Sequence, residues 1–410
     1  MRCGLLGRKL GHSYSPRIHR LLGGYDYIIY EKEPEDLEAF LNSGSFTGLN
    51  VTIPYKKAVI PYCDELSPAA KMLGAVNTIV RKTDGSLIGH NTDYFGFCTM
   101  IRHCGVSVSG KKALVLGSGG ASATVVAALQ SCGAKAVVIS RSGENNYSNL
   151  DRHADAAILV NATPVGMFPD TDGCPVDISV FPELECVIDL IYNPARTALL
   201  QAAKGRGLVT VNGLLMLVAQ AKESSEWFTG ATVSDSMITQ IYQTMCLETE
   251  NIALIGMPGS GKSTVGKLLA AKLGKIFIDA DDAIVKKAGI SIPEIFARYG
   301  ESEFRKLESA VLQELGKQSG LVIATGGGCV TVDENYRALH QNSKIIWLER
   351  DVSTLPKEGR PLSQINSLDE MYRIRQPLYD CFSDYRVCNN GAVSDAVDQI
   401  IAILTGGTEN

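Results

Sequence analysis

The run Gly256-Met257-Pro258-Gly259-Ser260-Gly261-Lys262-Ser263 has the spacing of a phosphate loop, and it lies between the strand-like NIALI and the helix-forming TVGKLLAAKLG. In that setting the backbone N–H groups of Gly259, Ser260 and Gly261 cradle phosphates. Lys262 reaches the terminal phosphates, and Ser263, followed by Thr264, meets Mg²⁺. ATP is the expected ligand. A second glycine turn sits in KKALVLGSGGASATVVAALQSCGAKAVVISR, which reads as strand, turn, helix and strand. Gly117, Ser118, Gly119, Gly120 and Ala121 form the turn, which brings backbone close to a pyrophosphate at a helix N-terminus; Ser122 stands where the usual fingerprint has its third glycine. About twenty residues on, an Asp or Glu would bind the ribose hydroxyls of NAD. The chain has Ser140-Arg141-Ser142 there, and Arg141 can pair with a 2′-phosphate that a carboxylate would repel, which predicts NADP(H). A solvated arginine at a strand end is the plainer alternative.

Upstream lie four polar runs: HSYSP with Ser13 and Ser15, NVTIPYK with Asn50, Thr52 and Lys56, GAVNT with Asn77, and GHNTD with Asn91 and Asp93. Each has an ordinary reading when taken alone. Ser15 before Pro16 suits a helix N-cap, Asn77 and Asn91 suit turns, and Lys56 with Lys57 suits a solvated face.

Along the rest of the chain, short Val/Ile/Leu-rich runs alternate with longer helical stretches, the pattern of an α/β protein with parallel sheets. The strand-like runs include residues 113–116, 136–139, 158–160, 187–190, 252–255 and 321–324. Residues 234–248 suit a helix with Met237, Ile238, Ile241 and Met245 on one face. The five residues 247–251 then span at most ~17 Å, which predicts two halves side by side. Lys and Arg number 39 against 44 Asp and Glu, for a net charge of −5, so the chain lacks the basic surplus that nucleic-acid binding draws on. No apolar run approaches the ~18 residues of a membrane span, and the N-terminal residues do not read as a signal segment. The 11 cysteines are odd in number and none forms a CxxC pair, which predicts reduced thiols in the cytoplasm.

Taken together, the polar runs of the first half resemble shikimate dehydrogenase over roughly residues 1–247. The likeness is carried by S-x-S, N-V-T-I-P-x-K, G-A-x-N-T and N-T-D, then by NATPVGM beginning at Asn161, by Tyr192-Asn193-Pro194, and by Gly213 with Gln220 in NGLLMLVAQA. The resemblance implies a two-lobed α/β substrate domain with a Rossmann domain for NADP(H), and reversible reduction of 3-dehydroshikimate to shikimate. It makes Lys56 and Asp93 the acid/base pair. Chemistry agrees: hydride delivery builds alkoxide character, which a nearby ammonium stabilises and protonates. The family's substrate contacts fall on Ser13, Ser15, Asn50, Thr52, Asn77, Asp93, Tyr192 and Gln220. Its cofactor contacts fall on the Gly117 turn, Ser140, Arg141, Ser142, Thr163, Leu190 and Gly213.

The second half resembles shikimate kinase over roughly residues 250–405. After the phosphate loop come FIDADD with Asp279 and Asp281, GESEFRKLE with Arg305 and Glu308, ATGGG with Gly327 at its centre, GRPL with Arg360, and RQPLY with Arg375. The resemblance implies that Arg305 and Arg375 grip the shikimate carboxylate, a task suited to a planar guanidinium fork. It places Gly327 in the acceptor site, has Asp281 bind the ring hydroxyls and activate the attacking one, sets Asp279 with Ser263 at Mg²⁺, and closes Arg360 over the phosphates. Between WLERD and GRPL the chain has only VSTLPKE, shorter than that family's lid, and Pro356 interrupts helix there, which predicts weakened ATP affinity or turnover.

The expected organisation is a substrate lobe at 1–95 completed by 215–247, a Rossmann domain at 96–214 and a P-loop kinase domain at 250–407. The expected activity is bifunctional, reduction to shikimate followed by phosphorylation to shikimate 3-phosphate, in aromatic amino-acid synthesis. Two alternatives stand beside it: oxidation of quinate, or of shikimate with NAD, by the first half, and a kinase half reduced to a nucleotide-binding or regulatory module. Small molecules are the expected partners, with no nucleic acid and no membrane, and the sequence leaves monomer and homo-oligomer open.

Overall fold

The computed structural model describes residues 1–11, 13–355 and 368–406. Its contacts group Met1–Met167, Asp172–Tyr192 and Leu199–Met245 into one compact unit, and Phe168–Thr171, Asn193–Ala198 and Cys246–Asn410 into a second.

The first unit holds two sheets. One contains β1 (Arg2–Gly7), β2 (Asp26–Glu31), β3 (Gly48–Val51), β4 (Glu65–Leu66), β5 (Thr78–Arg81) and β6 (Leu87–His90), in the order β2-β1-β3-β5-β6-β4. β1 runs parallel to β2 and β3, whereas β5 is antiparallel to both β3 and β6. The interior strand β3 is buried at every residue, while the edge strand β2 leaves Ile28 and Ile29 exposed. Leu6, Leu41, Phe46, Leu49 and Ile79 fill the core against this sheet. The β3–β5 register sets Asn50 opposite Thr78, which fixes the floor of the site described below.

The other sheet contains β7 (Lys112–Leu116), β8 (Lys135–Ile139), β9 (Ile158–Asn161), β10 (Cys186–Asp189) and β11 (Val209–Val211), in the order β11-β10-β9-β7-β8. All its pairings are parallel. From β7 the chain crosses to β8 on one side and then returns to β9 on the other. Such a reversal opens a ligand crevice at the carboxyl ends of the two strands.

The second unit is built on β12 (Asn251–Ile255), β13 (Ile276–Asp279), β14 (Leu321–Ala324), β15 (Ser343–Glu349) and β16 (Tyr385–Cys388), ordered β13-β14-β12-β15-β16 and parallel throughout. All five residues of the central strand β12 are buried, as expected for a strand covered by helices on both faces. Leu254, Leu269, Ile346 and Val397 pack on one side of the sheet. Ala253, Ile255, Leu312, Trp347 and Tyr379 pack on the other.

The helix expected near residues 234–248 spans Ser236–Thr249 and buries Ile238, Ile241 and Met245. It runs to within one residue of β12, so the connection read as a short loop reduces to Glu250. Among the described residues, no helix is long and apolar enough to cross a membrane. Leu254→Ala would open a cavity on one face of the central strand, with an expected destabilisation of about 2–5 kcal/mol. The fluorescence of the buried Trp347 reports on this unit, and an unchanged denaturant midpoint would contradict the prediction.

Candidate functional site

The first unit brings Lys56 and Asp93 together. Lys56 lies just beyond the end of β3, and Asp93 opens the helix Asp93–His103; Lys56 Nζ donates to Asp93 Oδ2 at 2.6 Å. The side chains remain 29% and 16% exposed, so the ammonium is held by its carboxylate and still open to a ligand.

Beside the pair lies a buried polar network. Asn50 Oδ1 accepts from the Tyr27 hydroxyl at 2.7 Å, and its Nδ2 donates to Thr78 Oγ1 at 3.1 Å and Ser224 Oγ at 2.8 Å. Asn77 Oδ1 accepts from the Thr92 amide at 2.7 Å, and Asn77 Nδ2 donates to Thr92 Oγ1 at 3.0 Å. Gln220, on the helix Leu214–Thr229, accepts from Thr92 Oγ1 at 3.4 Å. One turn further, Ser224 Oγ lies 2.9 Å from Thr78 Oγ1 and 3.0 Å from Thr92 Oγ1, joining the two asparagines into one array. His19 is fully buried, stacks on Tyr27 at 3.9 Å between centroids, and has its Nδ1 2.6 Å from the Tyr25 hydroxyl. Burial pushes its pKa down to about 3, so the ring is neutral.

Ser13 and Ser15 meet at the start of the helix Ser15–Leu22, where the Ser15 amide donates to Ser13 Oγ at 3.2 Å. The capping position is Tyr14, not Ser15, so the ordinary capping role weighed for Ser15 does not apply. The Tyr14 ring lies 5.3 Å from that of Tyr192. Thr52 is fixed at the end of β3 by its amide, which donates to the Leu6 carbonyl at 2.9 Å.

Tyr27, Thr78, Thr92, Ser224 and His19 were not singled out in the sequence. Thr78 and Thr92 are letters of the GAVNT and GHNTD runs themselves. For Ser224 the only available cue is its spacing of four residues from Gln220, which puts both on one helix face.

The dinucleotide turn sits at the β7–β9 reversal. Gly117 has φ +99°, and a Cβ there would lie 2.9 Å from Thr163 Cγ2. A Cβ at Gly119 or Gly120 would meet nothing within 4 Å, so the approach to the helix Gly120–Ser131 is an open cradle of the kind a pyrophosphate fills. Ser118 belongs to the same turn, whereas Gly120 and Ala121, expected in it, already form the first turn of the helix. The Thr163 amide and hydroxyl both donate to Asn161 Oδ1, at 3.0 and 2.7 Å, and Asn161 Nδ2 donates to the buried Asp189 at 3.0 Å. Gly213 passes so near the Leu190 carbonyl that any Cβ would overlap its oxygen. Ser140, Arg141 and Ser142 follow β8, with Arg141 and Ser142 exposed. The donor set fits a phosphorylated dinucleotide.

In the second unit the carboxyl ends of β12, β13, β14 and β15 surround a cavity of about 570 Å³. Gly259, Gly261, Lys262, Ser263 and Thr264 line it. Lys262 Nζ donates to the Gly256 and Met257 carbonyls at 2.8 and 2.9 Å, and the buried Ser260 Oγ has no hydrogen-bond partner among the described residues. Ser263 Oγ donates to Asp279 Oδ2 at 2.6 Å. Asp281 follows in the first turn of the helix Ala280–Ala288, and burial and then Asp279 raise its pKa. Arg305 pairs with the buried Glu308 at 2.6 Å and with Glu301 at 3.1 Å. Arg375 Nη1 donates to the Gly327 carbonyl at 3.1 Å. Among the described residues, no group of three or more His, Cys, Asp or Glu converges on one point. Ser263 and Asp279 fit Mg²⁺ nonetheless, because that ion is usually held by one or two protein donors plus phosphates and water. Of the shortened lid the structure describes Val352–Thr354, a single 3-10 turn, and the buried Leu355, whereas Pro356 and Arg360 lie outside the described residues.

Each half matches a known family model. Residues 5–79 match the family model "Shikimate dehydrogenase substrate binding domain". Over 262 residues, the chain is 37% identical to the shikimate dehydrogenase (NADP⁺) of Clostridium perfringens strain 13, an alignment covering 58% of this chain and 96% of that protein. The chain belongs to the shikimate dehydrogenase family. A chorismate mutase/shikimate 5-dehydrogenase fusion protein from Clostridium acetobutylicum superposes with a TM-score of 0.56 at 34% identity, over 60% of this chain and 96% of that one. The Thermus thermophilus shikimate 5-dehydrogenase, solved with NADP(H) and shikimate, gives 0.54 at 32% identity, over 60% and 99%. To this dehydrogenase the chain adds a second catalytic region, since residues 258–405 match the family model "Shikimate kinase".

Removing the Ser224 hydroxyl leaves buried amide and hydroxyl groups short of a partner, at about 1–3 kcal/mol. Ser224→Ala is therefore expected to lower the denaturant midpoint of the dehydrogenase half and to raise its KM for the ketone substrate. Unchanged values of both would refute the role of the network.

Proposed function

We propose that the chain is a bifunctional enzyme that reduces 3-dehydroshikimate to shikimate with NADPH and then phosphorylates shikimate to shikimate 3-phosphate with ATP. The observation that carries this reading is the convergence of the phosphate loop, Asp281, Arg305 and Arg375 on one cavity, in a chain whose other half is a shikimate dehydrogenase. Residues 1–95 with 215–247 are assigned to the substrate lobe, 96–214 to NADP(H) and 250–407 to the kinase. Eleven free cysteines suit a reducing cytoplasm.

In the dehydrogenase half, NADPH supplies the hydride when bound. Lys56 faces the ketone oxygen, stabilises the negative charge that builds there and gives it a proton. Asp93 keeps the ammonium in place. Ser13, Ser15, Asn50, Thr52, Asn77, Tyr192 and Gln220 hold the hydroxyls and carboxylate of the substrate, and their partners in the buried network keep each amide in one orientation. The Gly117 turn, Thr163, Leu190 and Gly213 shape the crevice, with Ser140, Arg141 and Ser142 receiving the 2′-phosphate.

In the kinase half, ATP with Mg²⁺ supplies the phosphoryl group when bound. Gly259 to Thr264 and Lys262 hold the phosphates, Ser263 and Asp279 the metal, and Arg360 is assigned to the lid. Arg305 and Arg375 fix the acceptor carboxylate beside Gly327, and Asp281 orients the attacking hydroxyl and takes its proton.

Incubation with 3-dehydroshikimate, NADPH, ATP and Mg²⁺ should yield shikimate 3-phosphate, identified by mass. Lys56→Ala should slow reduction by a factor on the order of 10²–10⁴ and spare phosphorylation of added shikimate. Lys262→Ala should stop the sequence at shikimate, and product that stops there in the parent chain would refute the kinase assignment. The raised pKa of Asp281 has a consequence for pH. Only its ionised form accepts the proton, so kinase kcat/KM should fall with falling pH, and should do so above the ordinary carboxylate range of about 4. A rate flat down to that range would remove Asp281 as the base.

A further inference from the structure

The acceptor turn of the kinase half is held from behind by a side chain to which no reactive role has been given. Tyr379 lies one helical turn after Arg375 on the helix Leu368–Phe382 and is fully buried. Its hydroxyl donates to the Gly327 carbonyl at 2.5 Å, and the same oxygen lies 3.8 Å from Met257 Sδ in the phosphate loop. The ring stacks against Trp347 on β15, with 5.8 Å between centroids. Burial raises the hydroxyl pKa far above the ordinary value, so it stays a donor at any working pH.

The turn that Tyr379 braces has no slack. A Cβ on Gly327 would lie 2.6 Å from Pro258 Cδ, and one on Gly328 would run into the Arg305 guanidinium. The turn is thus wedged between the phosphate loop and an arginine of the acceptor site. Its Gly327 carbonyl has two lone pairs and two donors, Tyr379 and, at 3.1 Å, Arg375. If Arg375 turns to a carboxylate, a carbonyl that depended on it alone would be left buried and unpaired, at a penalty charged against binding. With Tyr379 in place, no such penalty arises.

We propose that Tyr379 is a positioning residue of the kinase reaction: it holds the Gly327 carbonyl, keeps the acceptor turn against the phosphate loop, and releases Arg375 to meet the acceptor's carboxylate. The inference rests on the assignment of Arg375 to that carboxylate.

The test uses the full-length protein and saturating MgATP. Tyr379→Phe deletes one oxygen and keeps the ring against Trp347. Its kcat/KM for shikimate should fall about five- to tenfold, mainly through KM, whereas the methyl ester of shikimate, which offers Arg375 no charge, should lose less than about twofold. Where the ester is not turned over, its inhibition constant serves. Arg375→Lys checks the underlying assignment. If it leaves the KM for shikimate unchanged, the carboxylate reading fails and the inference falls with it. If Arg375→Lys raises that KM while Tyr379→Phe behaves like the parent, only the positioning role is overturned. Equal losses for shikimate and ester, or loss of the unfolding transition reported by Trp347, would make Tyr379 a plain core residue and overturn the proposal as well.

Discussion

In a parallel sheet every strand ends on the same edge, because each must be followed by a crossover that returns the chain to the other edge. That constraint creates both nucleotide sites. In the dehydrogenase half it delivers the Gly117 turn, Asn161 with Thr163, Asp189 with Leu190, and Gly213 to the carboxyl ends of β7, β9, β10 and β11. In the kinase half it delivers the phosphate loop, Asp279, the Gly326–Gly328 turn and Arg350 to one rim. Close spacing of neighbouring strands then decides residue types. Gly213 is glycine because the Leu190 carbonyl occupies the space of its Cβ.

Two kinds of polar packing stand behind the two candidate substrate sites. Asn50, Asn77, Thr78, Thr92, Gln220 and Ser224 form a neutral array in which amides and hydroxyls satisfy one another, so each residue proposed to meet substrate shares its bonds with its support. The packing beside the kinase cavity includes buried charge. Glu308 is fully buried and pairs with Arg305, and removing Arg305 would leave its carboxylate buried without that partner, whereas Arg305 also holds Glu301. A neutral array tolerates an empty site with little change, whereas a buried ion pair holds its arginine in one place before any ligand arrives.

Much of this was legible in the sequence, for reasons that differ by element. The buried strands β7, β9, β12 and β14 stand out as unbroken Val/Ile/Leu runs because both faces of a parallel sheet are covered. The phosphate loop is legible because its chemistry is local, with every contacting group supplied by one strand–loop–helix unit. Ser224 was not legible, and Tyr379, although it closes the RQPLY run, was given no role there. Each acts across the fold, Ser224 on strands more than a hundred residues away and Tyr379 on the Gly327 carbonyl of another loop. A serine or tyrosine on a helix face carries no mark that separates such a role from packing. Edge strand β2 escaped for the opposite reason, since its exposed Ile28 and Ile29 blur the alternation that marks a strand with one covered face.

On the assignments proposed here, one oxygen of the substrate explains why the two sites place opposite charges at the point of reaction. Reduction of the ketone adds negative charge to that oxygen, so the group beside it must be a cation able to give a proton, and the Lys56 ammonium, held at 2.6 Å by Asp93, answers that need. Phosphorylation then asks the newly formed hydroxyl to act as a nucleophile. Here the cations belong with the phosphates, where charge is densest, and the group beside the hydroxyl must accept a proton. Asp281 lies near Lys262 yet keeps a raised pKa, because burial and Asp279 outweigh the lysine's pull. A carboxylate of ordinary pKa would be a weaker base for that transfer. The charge at each site therefore follows the direction in which the proton on one oxygen must move.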